Sequence, residues 1–266
     1  MNEATSLRSA CLSILEVGGA FAHRFKSLLE FLGLVALVIT DLDSVRLLAT
    51  GEEDEEEDED EDTIVIPNDE ADQPSAKKSG KACLVYEPNA ITSNQTLVQW
   101  LPRKQTISEL LAATDGEKLS QAEGGNGFKV RVTYQIPTNV TWNGSASRLC
   151  GRTLEEAFGL ENAEWCQSAA CKHIGLKLRE SPTTPSELES GLHKRVSGKS
   201  FDKTKFALGV LTQPPENWKM PFYIKEGLLW LNTVINFEVS VMLEEENEST
   251  AAAVTSGPAV TTETAE

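Results

Sequence analysis

Residues 34–45 read LVALVITDLDSV. The run 34–40 is apolar or β-branched throughout, with no polar alternation. That is the pattern of a strand covered on both faces, as in the interior of a parallel sheet. The run stops at Asp41, and Asp43 follows one residue later. Open α/β sheets bind their ligands at the carboxyl ends of the strands. In an extended segment residues i and i+2 point the same way, so the two carboxylates repel unless a cation lies between them. Hard oxygen donors of this kind suit Mg²⁺ or Mn²⁺. A helix cap or a turn, where aspartate is common, is the other reading of the pair.

The neighbouring segments predict a strand–helix–strand crossover over residues 11–43. CLSILEV (11–17) reads as a short buried strand, and the glycines at 18 and 19 turn the chain. Over 21–32, Phe21, Phe25, Leu28, Leu29 and Leu32 recur at helical spacing and define one buried face. Gly33 fits the left-handed position that closes a helix. Together with strand 34–40 these make a βαβ unit.

Charge divides the chain unevenly. Its net charge is −17, and residues 52–62 form an unbroken acidic run carrying −11 of it, which leaves −6 for the rest. The run has nothing apolar to bury and repels itself, so 49–80 is expected to be a disordered acidic insertion. TIVIP (63–67) is a doubtful strand within it. The overall balance excludes a dedicated nucleic-acid coat protein, so any nucleic-acid contact has to be a local patch or be bridged by metal ions.

Further elements follow from local signals. NQTLVQWLP reads as a helix ended by Pro102, and TISELLA as a helix capped by Thr106. GFKVRVTYQIP (127–137) alternates as a half-buried strand, preceded by a hairpin turn at 124–127. RTLEEAFGLENAEW (152–165) reads as one helix with Thr153 as N-cap and Glu156 at the capping-box position. Residues 202–211 and 223–235 are two more helices. The tail 241–266, rich in Glu, Thr, Ala and Ser, is expected to be disordered. Cys166, Cys171 and His173 lie close in sequence, but not at the spacing of paired zinc knuckles, so the five cysteines read as free thiols. With no signal peptide and no stretch near the roughly 20 apolar residues of a membrane span, the chain reads as cytoplasmic, away from membranes, with reduced thiols.

The segment LEVGGAFAHRFKSLLEFLGLVALVITDLDSV resembles the TOPRIM domain, a metal-binding module of topoisomerases, primases and some nucleases. It is most similar to the version in overcoming-lysogenisation-defect (OLD) family ATP-dependent endonucleases. TSNQTLVQWLP, RVTYQIP, GRTLEEAFGLEN, GKSFDKTKFALGVL and PFYIKEGLLWL extend the resemblance over roughly residues 12–235. It implies an α/β fold: a Rossmann-like, mostly parallel sheet flanked by helices, over residues 1–240 and interrupted by the insertion. It further implies a divalent-metal-dependent DNA endonuclease. Asp41 and Asp43 match the metal ligands, Glu155 a late metal-binding and catalytic glutamate, and Thr153 a nearby hydroxyl ligand. Lys203, in preference to Lys205 or Lys199, matches a lysine that offsets charge at the cleaved phosphate. The bland readings are a glutamate favoured by the helix dipole for Glu155 and solvated helix residues for Lys203 and Lys205.

The resemblance implies DNA as partner, together with an ATPase domain or subunit and a second copy of the chain. No G-x-x-x-x-G-K-[ST] loop occurs in the sequence. TOPRIM domains also open with a strand ending in glutamate, followed by a helix, and only about ten residues precede 11–17, too few for both. By block order Glu16 belongs to the second strand. The expectation is therefore a chain truncated inside the domain, with little activity alone. The rival reading is an inactive interaction or regulatory module partnering a separate ATPase. A primase or topoisomerase piece lacks support, because the zinc-binding cysteine pairs are missing.

Overall fold

The computed structural model describes residues 4–18, 20–48, 63–66, 78–122 and 127–236. Two compact units are present: Leu15–Gly227, and Met1–Ile14 with Leu228–Glu266. In the smaller unit a 3₁₀ turn, Thr5–Arg8, is held by the Ser6 amide donating to Asn232 Oδ1 at 3.1 Å, and by a Ser6 Oγ to Asn236 Oδ1 contact.

The larger unit is α/β, compatible with a Rossmann-like fold. Its strands are β1 (Val35–Ile39), β2 (Ser44–Leu47), β3 (Thr63–Ile66), β4 (Lys78–Ala82), β5 (Ile91–Thr92), β6 (Leu119–Gln121), β7 (Lys129–Thr133), β8 (Thr138–Trp142) and β9 (Ser145–Leu149). Its helices are α1 (Lys26–Leu32), α2 (Gln95–Gln99), α3 (Ile107–Ala112), α4 (Leu154–Glu161), α5 (Ala163–Gln167), α6 (Pro185–Ser197) and α7 (Lys203–Leu211). Residues 222–227 open a further helix, α8 (222–236). Among the described residues three small sheets form, in the orders β1-β7-β6, β3-β4-β2-β5 and β8-β9.

Among the described residues only β1 and β7 pair in parallel; the other ladders are antiparallel. The expectation of a mostly parallel sheet is corrected accordingly. The crossover over 11–43 does not form either. Residues 11–18 adopt no regular structure, and Ile14 is 97% exposed. An apolar run becomes a strand only where a neighbour completes its hydrogen bonds, and β1 takes its parallel partner from β7, far along the chain. Among the described residues β1 is thus an edge strand, not an interior one, and Ile39 is exposed. Helix α1 follows a 3₁₀ turn and ends at Gly33 with φ 62°, as expected, but it buries no residue.

β7 is the covered strand. Val130 and Val132 are fully buried, and Arg131 and Thr133 on the other face nearly so, which replaces the half-buried expectation. Gly227 of α8 allows this coverage, because a Cβ there would lie 2.9 Å from Leu37 and 3.0 Å from Thr133. TIVIP does supply a strand, β3. The 152–165 helix is divided at Asn162 into α4 and α5. The sequence reading had passed over α6 and the β8–β9 hairpin, whose turn is Asn143-Gly144, both with positive φ. The acidic run 52–62, most of the 49–80 insertion, the greater part of the 124–127 turn and the 241–266 tail lie outside the described residues.

Among the described residues the unit has three cores, two of them large. Phe158, Cys166, Leu176, Leu188, Leu192 and Phe206 bring together α4, α5, α6 and α7. Leu42, Val85, Leu97, Ile107, Val132 and Tyr134 join the sheets to α2 and α3. Leu42 lies between the two aspartates, so the core itself anchors their loop.

Candidate metal centre

The loop after β1 has nearly every backbone group fastened. Thr40 N donates to Thr133 O (3.0 Å), Leu42 N to Gln135 Oε1 (2.7 Å) and Asp43 N to Arg152 O (3.1 Å). In return Asp41 O accepts from Asn94 Nδ2 (2.7 Å), Leu42 O from Thr92 Oγ1 (2.6 Å) and Asp43 O from Ser93 N (3.1 Å). Buried amide groups demand such partners, and here they come from three separate segments, 92–94, 133–135 and Arg152. The result is a fixed loop rather than the extended one expected: Asp43 is left-handed, with φ 46°. Aspartate tolerates that region better than most residues, and strain of this kind gathers at functional sites.

Second-layer side chains hold the carboxylates. Gln135 Nε2 donates to Asp41 Oδ1 and, at 3.3 Å, to Tyr223 Oη. Its place follows from the parallel register: Ile39 pairs with Thr133, so two residues on Asp41 faces Gln135. The Arg152 guanidinium donates through Nε to Ser44 O (3.1 Å) and lies 3.7 Å through Nη2 from Asp43 Oδ1. Gly151 precedes it because a Cβ there would meet the α4 backbone, at 2.7 Å from Glu156 C.

Glu155 and Thr153 sit at the start of α4, and Lys203 at the start of α7. Lys203 Nζ is 3.7 Å from Glu155 Oε1, with the glutamate buried and the lysine mostly exposed. Thr153 makes no capping bond. Glu156 does not close the expected capping box: its Oε2 accepts from Arg152 N (3.0 Å) and its Oε1 lies 3.1 Å from His193 Nδ1. Burial pushes Asp41 up to about 7, reinforced by Asp43 and Glu155 and opposed by Gln135 and Lys203. Burial also raises Asp43, against the pull of Arg152 and then Lys203. Asp41, Asp43, Glu155 and Lys203 therefore share one electrostatic neighbourhood. Lys205, whose amide caps onto Asp202, and the exposed Glu16 show no contact with it.

The donors present fit a hard divalent cation in kind. Thr153 Oγ1 and Glu155 Oε2 are buried without a hydrogen-bond partner, a cost usually avoided unless an ion or water is to be met. Among the described residues no three His, Cys, Asp or Glu side chains already converge into a shell. Cys166 and Cys171 are buried thiols raised by desolvation, and His173 Nε2 contacts Gln213, 3.0 Å away. The sequence reading had missed Gln135, Arg152, Glu156, His193 and Tyr223. None of these roles had a usable sequence signal, since Gln135 is placed by the register of β1 against β7, which only the fold reveals.

A match to a known family suggests a metal-binding domain of the nuclease and primase type. Residues 1–43 match the family described as overcoming lysogenization defect protein-like, TOPRIM domain. The matched stretch ends on Asp43, so it includes both aspartates but not Thr153, Glu155 or Lys203. TOPRIM domains generally bind divalent metals. No curated protein and no solved structure matches the chain. Among the described residues no helix is long and apolar enough to cross a membrane.

Proposed function

We propose that the chain is a divalent-metal-dependent DNA endonuclease domain of the OLD type. One observation carries this reading: the Asp41, Asp43 and Glu155 carboxylates and the Lys203 ammonium act on one another electrostatically, and Thr153 Oγ1 and Glu155 Oε2 are buried without a hydrogen-bond partner. Asp41, Asp43 and Glu155 would hold Mg²⁺ or Mn²⁺, with Thr153 Oγ1 as a further oxygen donor. Such ions supply an activated water and charge stabilisation for phosphodiester hydrolysis. Gln135 and Arg152 fix the directions of the Asp41 and Asp43 carboxylates. Lys203, mostly exposed beside Glu155, would offset the charge that develops on the phosphate.

The test is calorimetric titration of Mn²⁺ into wild type and Asp41→Ala, with supercoiled-DNA nicking compared between wild type and Asp43→Ala. Mn²⁺ binding lost in the first variant is the expected result, with little nicking by wild type alone and none of it left in the second variant. Equal Mn²⁺ binding by wild type and Asp41→Ala overturns the assignment.

A second reading is an interaction module that serves a separate ATPase subunit. It draws on α1 and its flanks, where Phe31 is 85% exposed and Leu28, Leu32 and Leu34 are open to solvent, next in the chain to β1, whose outer edge pairs with no strand among the described residues. Apolar surface of that kind marks a contact site. Metal binding without nicking, with capture of an added ATPase subunit, favours this second reading.

A further inference from the structure

Against a net charge of −17, residues 172–205 carry eight of the chain's 24 lysines and arginines and only four acids. The structure gathers part of this excess into a groove of about 860 Å³ between α6 and the segment preceding it. Lys177 and Arg179 stand on one wall, and Lys194 and Arg195 on the other. Gly191 lets the walls approach, since a Cβ there would lie 2.6 Å from Leu178 Cδ1. Helix α6 separates the groove from the metal centre. Its buried face, with Leu188, Glu189, Leu192 and His193, meets α4 and the hairpin, while Ser190 and Lys194 open outward.

The cations are arranged for a ligand rather than for each other. Arg195 is fixed in place, donating through Nε to Gly175 O (2.9 Å) and through Nη1 to Ser200 Oγ (3.1 Å), with its guanidinium over Phe201. Lys177, Arg179 and Lys194 form no ion pair among the described residues. Of the two acids in the lining, Glu187 is spent on the α6 N-terminus, its carboxylate accepting from Thr183 N and Thr183 Oγ1 (both 2.7 Å) while its amide donates to Thr184 Oγ1 (3.2 Å). Serine hydroxyls and cations line the groove, and no aromatic ring does. Phosphate oxygens accept from all of these donors, whereas base stacking requires aromatic faces.

We propose that this groove binds the phosphodiester backbone of nucleic acid, without sequence preference, as a second contact apart from the metal centre. As a substrate track it rests on the nuclease reading; as a binding site it does not, because it needs no metal. Three unpaired cations that displace condensed counterions predict a log–log salt dependence of affinity with a slope of about −2 for a single strand and about −2.7 for duplex.

The experiment uses the full chain in EDTA with fluorescein-labelled short single-stranded and duplex DNA, read by anisotropy over a salt series. A triple variant, Lys177→Gln, Arg179→Gln and Lys194→Gln, is compared with a charge-matched control, Lys26→Gln, Lys104→Gln and Lys172→Gln. All of the groove substitutions are at exposed positions, and circular dichroism verifies folding. The expected result is that the groove variant loses about 2 units of single-strand slope and most of its affinity, while the control keeps both. Asp41→Ala should bind like wild type even where nicking is lost, which separates failure of the groove from failure of the metal reading. An unchanged groove variant, an equal loss in the control, or binding of an acidic peptide in place of DNA each overturns the proposal.

Discussion

Gln135→Leu offers a direct measure of how the aspartate loop is held. Gln135 is 1% exposed and serves three partners: the Leu42 amide, the Asp41 carboxylate and the Tyr223 hydroxyl. Leucine nearly conserves the volume, so packing loss is small. The Leu42 amide, fully buried, loses its acceptor, at roughly 1–3 kcal/mol. An ionised Asp41 loses a charge-assisted bond, roughly 1.5–3 kcal/mol. These share one side chain and do not simply add, so about 3–4 kcal/mol is expected in metal-free buffer at pH 8.5. Below the raised Asp41 value of about 7 the carboxyl is protonated, and only a neutral bond is lost. At pH 5.5 the cost should therefore shrink by about 1 kcal/mol. Urea unfolding at the two pH values measures both figures. A loss below about 1 kcal/mol, or one that is larger at pH 5.5 than at pH 8.5, refutes the role assigned to Gln135.

Burial lifts Glu161 to about 7 from 4.5. The native state thus holds that proton to higher pH than the unfolded chain, and stability falls as pH rises through this window. Glu161→Gln, which still accepts from Phe222 N, should flatten the descent and raise Tm at pH 8; superimposable pH profiles would argue against it. Thr106→Ala removes the capping box with Glu109 and should cost about 1 kcal/mol in chemical unfolding. Gly151→Ala drives a Cβ into the α4 backbone and should cost about 3 kcal/mol, with loss of Mn²⁺ binding because Thr153 and Glu155 shift together.

What the sequence made legible was mostly local. The Thr106 cap and the Gly33 terminator depend on residues a few positions away, and both are found. The strand expected at 11–17 fails because ladder partners are a tertiary matter that periodicity does not reveal. The same limit hid the identity of β1's neighbour, and with it Gln135. Asn143-Gly144 was a readable hairpin turn that went unused. For the site, Asp41 and Asp43 stood out by pattern, whereas Glu155, Thr153 and Lys203 came only through resemblance. Arg152 and His193 carried no signal, since nothing in a sequence says which buried polar groups meet.

The fastening of the Asp41–Asp43 loop bears on when the site can exist during synthesis. Gln135 lies 94 residues after Asp41, and Arg152 lies 108 after Ser44. At about 5–20 residues per second a ribosome takes about 5–20 s to cover that first distance. Throughout that delay the aspartates are out on a nascent chain with neither clamp, so affinity for a cation should emerge abruptly once β7 and the start of α4 have left the exit tunnel. The acidic run falls inside the same span, yet closure entropy grows only logarithmically. Removing its eleven residues would change the closing cost by only about 0.1 kcal/mol. The span can lengthen or shorten through evolution with little effect on assembly, provided that the two strands still meet in register.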